Sequence, residues 1–148
     1  MKIFSNKFTG LIIAVVVSLT CSETKYADFT LRKFRYDKRG YDQYIIARYD
    51  GYHRLTGYHV ADSTYGIVVV PGYYPKGWTT KGFEWVEPLR ELTNFQVPIW
   101  LYRYNWNQCP EQAADRFHKK MINFEIENPH LDSLWVIGHS YGGLIVAL

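Results

Sequence analysis

Short apolar runs in this chain are separated by stretches in which apolar residues recur every three or four positions. "YGIVVVPGYYP", from Tyr65, contains a wholly apolar β-branched run closed by Pro71-Gly72, the pattern of a strand buried on both faces. "VPIWLYRY", Val97 to Tyr104, reads as a second strand, and "SLWVIGHS", from Ser133, as a third buried one. Between the first two, Phe83, Val86, Leu89 and Leu92 recur at near-helical spacing, with Pro88 either starting the regular helix or kinking it. Between the second and third, Pro110 takes a good first helical position, and Ala113, Ala114, Phe117, Met121 and Ile122 lie along one stripe. Asn128-Pro129 is its stop. "YGGLIVAL", Tyr141 to Leu148, begins a third helix. Strand and helix thus alternate three times across short connections. That order predicts the α/β class: right-handed crossovers and a mostly parallel sheet with helices on both faces.

Upstream the pattern is different. Phe29, Leu31 and Phe34 alternate loosely, and Tyr44 to Tyr49 form a second strand-like run. Asp50-Gly51 then signals a type I′ hairpin, so an antiparallel N-terminal hairpin is predicted toward one edge of the sheet. His53, Arg54 and His59 fall on its solvated outer face in this reading. The first 21 residues stand apart: Lys2 and Lys7 precede an apolar run, Leu11 to Val17, that closes at Ser18-Leu19-Thr20. This is a signal-peptide layout, and the run is well short of the about 20 residues a spanning helix needs. Residues 1–21 are therefore expected to direct export, to the periplasm, cell envelope or medium, and residues 22–148 to fold. Two processing routes stay open: cleavage before Cys21, or lipidation of Cys21 with attachment to a membrane.

Composition narrows the function classes. A length of 148 residues suits one domain. The net charge of +3 comes from 17 basic and 14 acidic residues scattered among one another, without the concentrated basic face that nucleic-acid binding requires. Aromatics at 18%, thirteen of them Tyr, suit half-buried strands rather than disorder. With two cysteines, one of them Cys21 at the processing boundary, a disulfide framework is not expected, and Cys109 reads as a half-buried loop cysteine.

The chemistry concentrates at the third strand's end. Gly138-His139-Ser140-Tyr141-Gly142 is a G-x-S-x-G pattern with a strand before it and an apolar helix after it. That is the context of a nucleophile elbow, in which a sharp strained turn presents the serine and flanking glycines let strand and helix approach. The following helix directs its first N–H groups at an oxyanion formed by attack of Ser140, and the N–H of Tyr141 is the candidate donor. The "PGYY" loop after the first strand is placed to supply a second donor, for which the N–H of Tyr73 is the candidate beside Gly72. Tyr74 and Trp78 are candidate walls of an acyl pocket. His139 is expected to pack beside the site rather than act as its base, since chain neighbours leaving a strand diverge.

Together, "GIVVVPGYYPKGW", "VPIWLYRYNW" and "LWVIGHSYGGLIVAL" resemble the N-terminal part of an α/β-hydrolase in the lipase and esterase branch, similar to lipase-like and GPI-inositol-deacylase-like proteins. The resemblance spans Tyr65 to Leu148. It implies hydrolysis of a small-molecule or lipid ester through an acyl-serine, with no metal and no organic cofactor. It also implies a triad in the chain order serine, acid, histidine. The eight residues after Ser140 contain neither acid nor histidine, so the sequence is expected to be the front portion of a longer hydrolase, nearly inactive alone. Two other readings predict different behaviour: a non-catalytic envelope binding protein on a degenerate hydrolase scaffold, and a chain completed by a partner carrying the later strands.

Overall fold

The computed structural model describes residues 29–31, 50–73 and 85–148. The export segment with Cys21, the run Tyr44 to Tyr49, and Phe34, Tyr74, Trp78 and Phe83 lie outside the described residues. Five strands form one mixed, mostly parallel sheet: β1 (Phe29–Thr30), β2 (Gly51–Thr56), β3 (Tyr65–Val70), β4 (Ile99–Arg103) and β5 (Ser133–Gly138), in the order β1-β2-β4-β3-β5. Helix α1 (Val86–Leu92) joins β3 to β4, α2 (Pro110–Glu127) joins β4 to β5, and α3 (Tyr141–Ala147) follows β5. The class is α/β, as the alternation predicted.

β3 lies between β4 and β5 and runs parallel to both. Ile67, Val68, Val69 and Val70 are all fully buried. Because successive strand residues point to opposite faces, that run requires cover on both sides. On one face, Phe117 and Phe124 of α2 meet an aromatic row on the strands: Phe124 lies 4.5 Å from Tyr52 and 4.8 Å from Trp100, and Phe117 lies 5.0 Å from Tyr102 between ring centroids. Such tilted and edge-on pairs add to the area that each ring buries. Val86 and Leu89 of α1 belong to the same continuous core as Ile67, Val69, Ile99 and Leu101. Pro88 stands third in α1, within the first turn where no intrahelical N–H is needed, so it neither starts nor kinks the regular helix. Pro110 is the first residue of α2, and Asn128 ends that helix with its side-chain amide donating to the Phe124 carbonyl at 2.8 Å.

Several expectations need correcting. β1 runs parallel to β2, with Phe29 opposite Leu55, where antiparallel strands were expected, and β4 is an antiparallel neighbour of β2; the hairpin predicted at Asp50-Gly51 rests on Tyr44 to Tyr49 and lies outside the described residues. A turn signal reports only local chain reversal, whereas a parallel pair forms between segments the local pattern does not link. Gly51 does take a positive φ, 142°, where β2 begins. His53 is 2% exposed and sits in the core, while Arg54 and His59 are exposed as expected. On α2, Ile122 is 59% exposed and Phe124 is buried in its place, because the helix turns Phe117, Met121 and Phe124 toward the sheet. β5 borders the sheet of described strands and is only half covered, with Trp135 52% exposed. Cys109, just before α2, is exposed.

Candidate functional site

The parallel register sets Val70 opposite Gly138, so the loops after β3 and β5 leave the same sheet end side by side. This is where α/β sheets gather ligands, since the carboxyl ends of adjacent strands open there. The N–H of His139 donates to the Val70 carbonyl at 3.0 Å, continuing the ladder one residue beyond β5. The chain then turns abruptly at Ser140, with φ 53° and ψ −122°. Among the described residues Gln96 also has a positive φ, but at 57° and 26° it rests in the ordinary left-handed well, closing the short 3-10 turn Thr93–Phe95. Ser140 does not. A non-glycine residue there carries backbone strain of order 1–3 kcal/mol, which the surrounding structure must hold in place.

What holds it is close packing of backbone on backbone. A Cβ at Gly142 would stand 2.5 Å from the Pro71 carbonyl oxygen and closer still to that of Val70. A Cβ at Gly138 would stand 2.8 Å from Gly143 Cα and 2.9 Å from the Gly142 oxygen. Glycine at both positions is therefore a steric requirement of the turn: α3 starts directly against the end of β3. The Ser140 hydroxyl does not cap α3, which leaves it available at the exposed turn.

The N–H groups at this turn divide into bonded and open ones. The N–H of Gly142 donates to the His139 carbonyl at 2.9 Å, that of Gly143 to the Ser140 carbonyl at 2.9 Å, and that of Leu144 to the same oxygen at 3.4 Å. Among the described residues, the N–H groups of Ser140 and Tyr141 have no backbone acceptor, and that of Tyr141 is the first of α3. From the β3 side, Gly72 approaches so closely that a Cβ on it would lie 3.0 Å from Ser140 Cβ and 3.2 Å from His139 Nδ1. Tyr73 follows, exposed, with its ring edge-on to Tyr141 at 6.4 Å. The structure thus brings Ser140, Tyr141, Gly72 and Tyr73 together. His139 is half-buried and edge-on to Trp85 at 5.8 Å, a packing position as expected.

Sequence reasoning missed Tyr104, just past β4, in this assembly. Its hydroxyl donates to the Pro71 carbonyl at 2.7 Å, and its ring stacks on Tyr141 at 6.0 Å with 20° between planes. Burial raises the Tyr104 phenol well above its ordinary value, with Tyr141 adding to the effect and Arg103 opposing it. Tyr141 is tied in turn by its hydroxyl, which donates to the Gln108 carbonyl ahead of α2. The alternation Tyr102-Arg103-Tyr104 placed both tyrosines on one face, but nothing in it named a main-chain partner in a loop 33 residues earlier.

The remaining histidines lie elsewhere. His118 is exposed on α2, and His130 is exposed ahead of β5, at the far end of that strand from Ser140. A groove of about 520 Å3 between the end of α2 and β5, walled by Met121, Phe124, Leu131 and Val136, lies beside the strand and not at the elbow. No group of three or more His, Cys, Asp or Glu among the described residues could hold a metal ion, and no helix among them is long and apolar enough to cross a membrane. Compared with known proteins, the chain matches no family model, no curated protein and no solved structure.

Proposed function

We propose that the protein is a serine hydrolase of the α/β-hydrolase type, acting on carboxylic esters through an acyl-serine. The observation that carries the reading is the strained backbone of Ser140 at the junction of β5 and α3, with the open N–H of Tyr141 on one side and the Gly72–Tyr73 loop on the other. In the reaction, Ser140 Oγ bonds to the ester carbonyl carbon and gives its proton to a histidine base. The carbonyl oxygen becomes an oxyanion facing the N–H groups of Tyr141 and Tyr73. Collapse then expels the alcohol, which takes the proton, and water later releases the acid by the same route. None of the eight residues that follow Ser140 is an acid or a histidine, and the proposal assigns the base and its orienting acid to none of them. Export of the enzyme, directed by residues 1–21 and with Cys21 as a lipid attachment point, belongs to the same proposal.

The test is covalent labelling of the protein as its gene encodes it. A fluorophosphonate probe is expected to modify the peptide carrying Ser140 and to leave Ser140→Ala unmodified, with hydrolysis of short p-nitrophenyl esters lost in parallel. A folded protein whose Ser140 stays unlabelled overturns the nucleophile. Ligand binding without turnover, unchanged by Ser140→Ala, establishes instead a binding protein on a hydrolase-like scaffold.

A further inference from the structure

The loop that begins at Pro71 must hold its position against Ser140 to a fraction of an ångström if its backbone is to meet an oxyanion, yet it leaves a strand end where loops ordinarily move. Two contacts restrain it. From α3, Gly142 presses its Cα against the Val70 and Pro71 carbonyls, leaving no room for a Cβ. From beyond β4, the Tyr104 hydroxyl donates to the Pro71 carbonyl at 2.7 Å, with the Tyr104 side chain only 2% exposed. A trans peptide is planar, so fixing the Pro71 carbonyl also fixes the N–H of Gly72 in the opposite direction. Only the two torsions of Gly72 then separate the anchored peptide from the N–H of Tyr73. The Tyr104 ring also stacks on Tyr141, which carries the other candidate donor. One side chain thus touches both halves of the proposed oxyanion site, and it does so from outside the space a substrate would occupy.

We propose that Tyr104 is the positioning residue of the oxyanion site, its hydroxyl holding the Pro71 carbonyl so that the Gly72–Tyr73 backbone faces Ser140. The inference rests on the hydrolase reading given above. It assigns Tyr104 no contact with substrate. Its signature is a loss confined to the transition state, where the oxyanion exists, with ground-state binding unaffected.

The experiment compares Tyr104→Phe with Tyr58→Phe in the full protein. Tyr58 provides a matched control: its hydroxyl donates to the main-chain carbonyl of Val97, also at 2.7 Å, before β4 and at the other end of that strand from Tyr104. Both variants delete one tyrosine-to-carbonyl bond, and thermal melts are expected to show similar, modest losses of stability. Tyr104→Phe is expected to lower kcat for short esters about tenfold or more, with KM unchanged, and to weaken a boronic acid that forms a tetrahedral adduct by a similar factor. Tyr58→Phe is expected to leave kcat, KM and boronate affinity at the wild-type level. Equal kcat in the two variants, with the wild type labelled at Ser140 and active, overturns the positioning role while leaving the hydrolase reading intact. A folded wild type that is neither labelled nor active overturns both.

Discussion

At the scale of single residues, the site is organised by what cannot fit. Ser140 keeps an unfavourable backbone because its neighbours permit no relaxed alternative, and Gly142 makes that possible by omitting a side chain. The adjacent glycine differs: a Cβ at Gly143 would meet only the Gly138 carbonyl group at 3.6 and 3.8 Å, an ordinary contact. Gly142→Ala is therefore expected to cost at least about 2 kcal/mol, since two backbone oxygens must move. Gly143→Ala is expected to be neutral or to stabilise α3 by up to about 1 kcal/mol through helix propensity. Urea unfolding of the two variants checks this; equal effects would show that the approach of α3 to β3 is not the constraint. The glycine pattern of the elbow was legible in the sequence because sterics there depend on chain neighbours. The Tyr104 hydroxyl bond was not, because its acceptor lies in another loop.

At the scale of elements, the helical stripe of α2 shows how far periodicity reaches. It identified Ala113, Ala114 and Phe117 correctly, then drifted onto Ile122, where the helix instead buries Phe124 among Tyr52 and Trp100. Seven residues separate Phe117 from Phe124, two turns of helix, and the sheet's aromatic row decides which face is kept. Phe124→Ala is expected to cost about 3–5 kcal/mol, and Ile122→Ala less than about 0.5. Denaturant midpoints measured side by side distinguish them, and a costly Ile122→Ala would place the packed face wrongly. β5 illustrates the opposite limit. Its run "SLWVI" reads as interior, yet Trp135 stands out from the described sheet with Tyr65 stacked at 5.9 Å and Phe95 edge-on at 6.1 Å. Residue pattern reports the tendency to be covered, whereas the cover itself is a property of neighbours.

At the scale of the molecule, the tyrosines buried in or packed against the core make stability sensitive to alkali. Burial raises the Tyr52 phenol above its ordinary 10.0, with Tyr102 and Glu125 adding to it, and burial raises Tyr104 likewise. Tyr58 is pushed up to about 12, again mainly by burial. Unfolded, these phenols ionise near pH 10, while in the folded protein they remain neutral. Their contribution is therefore complete below about pH 10 and is lost as the pH rises through the folded values, because the unfolded state sheds its protons first. Urea midpoints are expected to be flat from pH 7 to about 9.5 and to fall above that, with a shallower fall in Tyr52→Phe combined with Tyr104→Phe. An unchanged slope in that double variant would remove these phenols as the cause.

The sequence by itself determined the alternation of β3, α1, β4, α2, β5 and α3, the cap positions of Pro110 and Asn128, and the glycine spacing around Ser140. Each depends on residues within a few positions of one another, where periodicity and sterics act directly. The order β1-β2-β4-β3-β5, the antiparallel pairing of β2 with β4, the burial of His53 and the hydroxyl bond from Tyr104 to Pro71 were decided only in the tertiary structure. Those depend on which distant segments meet, and the competition of whole surfaces for burial settles that choice with no local pattern to announce it.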